Sequence, residues 1–163
     1  MTYVLREAEM PILPPGHEDI RVLHFSDLHL TPARKKEIAD IKSFISLQPD
    51  LVISTGDFLA HKDAVPVVLD ALEALLDIPG LYVFGSNDYY EPVPKNPLKY
   101  LLPNHGKRVH GPELNWQELD SGLQERGWKN LNTSRATITI NTTVIEARGT
   151  DDAHLEFDDY TLV

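Results

Sequence analysis

The sequence predicts an α/β fold with a parallel sheet at its N-terminal side. Three observations carry this. Short apolar runs at residues 20–25, 51–54 and 81–84 read as strands buried on both faces. Two amphipathic stretches with apolar residues at helical spacing lie between them. The resulting β-α-β-α-β order calls for right-handed crossovers between parallel strands.

The elements follow in order along the chain. Residues 2–10 are expected as a short strand, before a connection broken by Pro11, Pro14 and Pro15. The strand at 20–25 is β-rich and ends in Ser26-Asp27. His24, inside it, reads as a core histidine. Thr31-Pro32 reads as a helix start, a capping hydroxyl followed by proline at the first helical position. Ile38, Ile41 and Ile45 give this helix its apolar stripe, and Pro49-Asp50 ends it. The strand at 51–54 ends in Thr55-Gly56-Asp57. A second helix begins near Asp63, with Val65, Val68, Leu69, Leu72, Leu75 and Leu76 on one face. Pro79-Gly80 closes it, and the strand at 81–84 ends in Gly85-Ser86-Asn87-Asp88.

After Asp88 the texture changes. Residues 91–112 are rich in proline and are expected to be irregular. A third helix begins at Asn115. Glu118 forms the pattern of a capping box, and Leu114 can staple onto Leu119. Its apolar face is Trp116, Leu119 and Leu123. Residues 128–131 read as a strand, 135–140 and 142–147 as a pair of strands, and the chain from Gly149 as an acidic irregular tail.

Composition narrows the chemistry. The 163 residues suggest one domain. No cysteine is present, which excludes disulfides, zinc–thiolate sites and thiol nucleophiles. Any metal must be held by His, carboxylate or amide groups. With 15 basic and 25 acidic residues the net charge is −10, so extended nucleic acid is disfavoured as a partner. The triplet Arg34-Lys35-Lys36 reads as a solvated helix face. No apolar run approaches the ~20 residues that span a bilayer. No signal peptide is read at the start, so no membrane partner and a cytoplasmic location are expected.

Three strand ends carry the polar groups that matter: Asp27-Leu28-His29, Gly56-Asp57 and Gly85-Ser86-Asn87-Asp88. In a parallel α/β sheet the ligand site lies outside the carboxyl ends of the strands. Two carboxylates, an imidazole and an amide would converge there. Asp, His and Asn suit Mn, Fe or Zn. A carboxylate such as Asp57 could bridge two ions ~3.5–4 Å apart, an arrangement suited to in-line phosphoryl displacement.

These strings resemble the first three motifs of the calcineurin-like metallophosphoesterases. The fuller matches are Val22-Leu23-His24-Phe25-Ser26-Asp27-Leu28-His29 and Pro49-Asp50-Leu51-Val52-Ile53-Ser54-Thr55-Gly56-Asp57. The resemblance is clear over residues 20–90. It implies a four-layer αββα sandwich, of which this chain would hold an incomplete part. It also implies hydrolysis of a small phosphate mono- or diester by metal-bound hydroxide at a two-metal centre. Asp27 and His29 would bind the first metal, Asp57 would bridge, and Asn87 would bind the second. An ungapped match puts Asn87 where the family places a catalytic histidine, and a one-residue shift puts Asp88 there instead.

The chain departs from the pattern in two ways. The third motif lacks its histidine, with Ser86 or Asn87 at the amide position depending on the match. No Gly-His-x-His follows Asp88, and His105, His110 and His154 are isolated. The 163 residues are therefore expected to be the N-terminal portion of a longer domain. The alternative to an enzyme is a truncated or degenerate relative that binds a ligand or a protein partner. An incomplete sandwich would leave a sheet uncovered, which favours self-association.

Blander roles stand beside these. Asn87 and Asp88 suit an Asx-turn. His61 suits a solvent-facing position as well as a substrate contact. Tyr89 suits packing as well as substrate stacking. Asp151, Asp152 and His154 read as a solvated loop closing over the site more readily than as a metal cluster.

Overall fold

The structure, a computed structural model, describes residues 3–93 and 110–163. His105 lies outside the described residues. The predicted α/β order is present. Strands β1 (Val22–Phe25), β2 (Leu51–Ser54), β3 (Gly80–Tyr82) and β4 (Lys129–Asn130) form a parallel sheet in the order β1-β2-β3-β4. The register pairs Val22 with Leu51, Val52 with Gly80, and Leu81 with Lys129. The helices are α1 (Lys35–Ser43), α2 (Val65–Leu72), the one-turn α3 (Ser86–Tyr89) and α4 (Trp116–Glu125). Strands β5 (Ser134–Ile140) and β6 (Thr143–Gly149) form a separate antiparallel hairpin.

The described residues make three layers. Helices α1, α2 and α4 cover one face of the parallel sheet. Ile41, Val65, Val68, Leu72, Leu119 and Leu123 pack there with Phe25, Val52, Tyr82 and Phe84. The hairpin covers the other face, where Ile138 and Ile140 meet Leu51, Leu81 and Leu131. Strand alternation explains both cores, because successive side chains point to opposite faces. Lys42 ties α1 to Asp70 of α2 at 2.9 Å, and Arg126 ties the end of α4 to Glu73 and Asp77.

Several expectations shift. Residues 3–10 form no strand. Helix α1 starts at Lys35, not at Thr31-Pro32, and Thr31 only accepts a turn bond from the Arg34 N–H. The reason is that Leu30 stays extended beside the chain after β2, donating to Phe58 O while its own carbonyl accepts from Ala60 N. Helix α4 starts beside Asn115 as expected, but with no side-chain capping bond. Leu114 and Leu119 are both buried in the same cluster. His24 is not a core residue: it is exposed, and its Nε2 lies 3.0 Å from Thr55 Oγ1. It sits on the edge strand β1, on the hairpin side of the sheet but beyond the residues the hairpin covers. Gly149 belongs to β6 rather than to the tail.

Trp128 locks the end of α4 to the sheet. Its indole is buried, donates from Nε1 to Ile78 O at 3.1 Å, and lies directly on Gly80. A Cβ at position 80 would land on the ring. Gly80→Ala is therefore expected to lower the urea midpoint by a stability loss of ~1–3 kcal/mol, the range for overpacking a tight core. An unchanged midpoint would show that the indole has room to move.

Candidate metal centre

The loops leaving β1, β2 and β3 run side by side at one end of the sheet. Asp27 N donates to Gly56 O at 3.0 Å, and His29 N donates to Asp57 O at 2.9 Å. The pairing continues to a parallel bridge between Leu30 and Leu59. These two loops are thus zipped together beyond the point where the strands end.

The third loop is joined through Asp88. Its carboxylate is fully buried and accepts four backbone N–H bonds: from Asp57 at 2.8 Å, Phe58 at 2.8 Å, Leu59 at 3.0 Å and Gly85 at 2.9 Å. Each oxygen takes two of them. Burial pushes this carboxyl up to about 7, while the donors from Gly85, Leu59 and Asp57 hold it down toward the ionised form. Every partner here is a donor, so the carboxylate is the form that satisfies them all.

Asp57 is held from its side chain as well. Asn87 N donates to Oδ1 at 3.0 Å, and Asn87 Nδ2 donates to Oδ2 at 2.8 Å. His29 Nε2 lies 3.6 Å from Asp27 Oδ1 and 3.7 Å from Asp57 Oδ2. One ligand atom from each of Asp27, His29 and Asp57 falls within 4.8 Å of the others. Exposure rises across the site, with side-chain values of 18% for Asp57, 30% for His29 and 65% for Asp27. The Ser26 hydroxyl donates to Asp27.

The backbone at these three residues is unusual. Asp27, His29 and Asp57 have φ of 56°, 43° and 58°. Non-glycine residues rarely adopt this left-handed region, and such strain clusters at functional sites. Glycine is needed on either side of Asp57 for a separate reason. A Cβ on Gly56 would sit 2.6 Å from Gly85 N, and one on Gly85 would strike the Asp57 carboxylate.

A divalent ion fits this donor set. Two carboxylates and one imidazole, gathered on one point and open on the Asp27 side, match the ligands that Mn, Fe and Zn take. Among the described residues no other group of three His, Asp or Glu side chains gathers this way.

The remaining candidates are placed as follows. Asn87 lies against Asp57. His61 stands partly exposed on the loop after β2, with its Nδ1 accepting from Asp63 N at 3.1 Å. Tyr89 is buried among Phe84, Trp116 and Phe157. Its hydroxyl donates to the Asp151 carboxylate, and burial with that neighbour pushes its pKa up. Asp152 caps its own turn by accepting from Leu155 N at 2.8 Å. Asn132 had no sequence-level signal beyond its place after a strand. It accepts from Phe84 N at 2.9 Å and donates to Tyr89 Oη at 2.7 Å, tying the segment after β3 to α3.

With this geometry, comparison with known proteins is direct. A family model described as calcineurin-like phosphoesterase matches residues 20–157. An uncharacterized metallophosphoesterase of Bacillus subtilis (strain 168), YkoQ, is 36% identical over 80 residues. That match covers 46% of this chain and 29% of the length of that protein. The matched region contains the three zipped loops and the hairpin that backs them, and the chain belongs to the calcineurin-like phosphoesterase family.

Proposed function

We propose that the chain hydrolyses a small phosphate mono- or diester with a divalent ion held by Asp27, His29 and Asp57. The observation that carries this reading is the convergence of those three ligand atoms within 4.8 Å at the carboxyl ends of parallel strands. The ion would neutralise phosphate charge and lower the pKa of a water. The chain's own groups do the rest. Asp27, the most exposed ligand, faces the side from which substrate arrives. A second ion would rest on Asp57 and on the Asn87 amide, turned to present its oxygen. Asn87 could also donate a hydrogen bond to a phosphate oxygen, but not a proton. Mn, Fe and Zn are the metals to test first.

Asp88, expected as a catalytic residue, is better read as a positioning residue. Its oxygens are occupied by backbone donors and reach no substrate. It fixes Asp57 from beneath.

Titration calorimetry with Mn²⁺ tests the site apart from turnover. The chain should bind Mn²⁺, and Asp57→Ala should abolish the binding and any hydrolysis of a chromogenic phosphodiester. Equal binding by both proteins would sink the assignment. Asp88→Asn should cost ~1–3 kcal/mol for each N–H left facing the new NH₂ group. Below its melting range it should still bind Mn²⁺, roughly 10–100-fold more weakly, as loss of a ligand's support does. Unchanged affinity would mean that Asp57 holds its position without Asp88.

A further inference from the structure

The segment after β6 reaches back to the third loop of the candidate metal centre. Gly149, at the end of β6, packs closely on the chain that follows β3 and β4. A Cβ there would lie 2.6 Å from the Leu131 carbonyl oxygen and 2.9 Å from Val83 Cγ1. Two residues on, Asp151 N donates to Thr133 Oγ1 at 3.4 Å, and the Asp151 carboxylate meets Tyr89. The Tyr89 hydroxyl has Asp151 Oδ1 at 2.8 Å and Oδ2 at 2.9 Å. Asp151 Oδ1 also accepts from Asp152 N at 2.7 Å, which fixes the carboxylate within its own turn.

Tyr89 Oη bonds in both directions. It gives its one proton to Asp151 and accepts from Asn132 Nδ2 at 2.7 Å. Asn132 is itself held, since its Oδ1 accepts from Phe84 N and its own N donates to Asn130 Oδ1 at 2.7 Å. Asn130 in turn donates from Nδ2 to Asp120 Oδ1 of α4 at 2.7 Å. The segments after β4 and β6 therefore grip one phenol from two sides.

Tyr89 is the last residue of α3, the turn that carries Asn87 and Asp88. A single helical turn is marginal by itself, so its place is set by what its side chains meet. Asp88 fastens it to the loop after β2, and Asn87 faces the Asp57 carboxylate. The rings of Phe84, Trp116 and Phe157 bury the phenol. Ring contacts tolerate a range of separations, whereas hydrogen bonds fix a distance and a direction.

We propose that Asp151 is a positioning residue for the metal centre. It acts through the Tyr89 hydroxyl on α3, and so on the Asn87–Asp57 contact. The inference rests on the metal reading above. Asp151 is not one of the three gathered residues, and it meets α3 from 62 residues further along the chain.

The test is Mn²⁺ titration calorimetry of the chain and its variants, with thermal unfolding of each measured alongside. Tyr89→Phe keeps the ring contacts and removes the hydroxyl. Asp151→Ala removes the acceptor. Below its melting range, each should bind Mn²⁺ roughly tenfold more weakly, the low end for groups that support a ligand from behind. The double variant Y89F/D151A should be no weaker than either single one, because both remove the same bond. Asp151→Asn keeps an oxygen for the phenol and should bind Mn²⁺ like the unsubstituted chain. A purely structural bond would lower the melting temperature and leave the affinity of the folded chain unchanged. That result in Tyr89→Phe and Asp151→Ala would overturn the proposal. So would losses that add in the double variant, or an Asp151→Asn chain as weak as Asp151→Ala. Binding that Asp57→Ala abolishes, but that Tyr89→Phe and Asp151→Ala leave intact, defeats this proposal alone. A chain that binds no Mn²⁺, or binds it equally after Asp57→Ala, defeats the metal reading and this proposal with it.

Discussion

The candidate site depends on one buried carboxylate. Where β1, β2 and β3 end, their backbone N–H groups leave the sheet ladder and need new partners, since an unpaired buried donor is costly. Asp88 accepts from Asp57, Phe58, Leu59 and Gly85, and so joins the turn after β2 to the turn after β3. The first loop joins the same assembly through Gly56 O and Asp57 O. Charge buried at Asp88 is compensated entirely by hydrogen bonds, which is the condition under which a buried carboxylate is stable.

That framework holds a strained backbone. The three gathered residues Asp27, His29 and Asp57 all have left-handed φ. Each such residue costs on the order of 1–3 kcal/mol, and such strain persists only where surrounding structure over-determines it. The zipped loops and the Asp88 bonds provide that determination. The two glycines flanking Asp57 bring the loops close enough for Asn87 to reach the Asp57 carboxylate with both its backbone and side-chain N–H groups. Strain, glycine contact and buried charge are thus one device, which presents two carboxylates and an imidazole to a common point.

The layers around the sheet contribute differently. On the helical side, α1, α2 and α4 enclose a continuous apolar core that extends to Trp128. On the other side a two-stranded hairpin covers β2 and β3 and leaves β1 open, which is why His24 is a surface histidine despite its apolar neighbours in sequence. An apolar run marks a strand but not its rank in the sheet. Whether both faces of that strand are covered depends on a layer formed more than a hundred residues later.

Local pattern was enough for the parallel β-α-β-α-β succession, the helical stripes and the placing of Asp27, His29, Asp57 and Asn87 at neighbouring strand ends. The reason is that short apolar runs ending in Asp, Gly and His encode both the strand and the turn that leaves it. Tertiary structure alone decided that Thr31 is not a helix cap, because its neighbour Leu30 is held by Phe58 and Ala60. It also decided the parts of Asp88 and Tyr89. Nothing in their sequence positions distinguishes a solvent-facing acid or phenol from a buried one. Burial and the four converging N–H donors made Asp88 a clamp, and three packed rings made Tyr89 an anchor. Residue type and spacing specify which groups can meet, whereas the solvation of each group, and hence its role, is set by what folds over it.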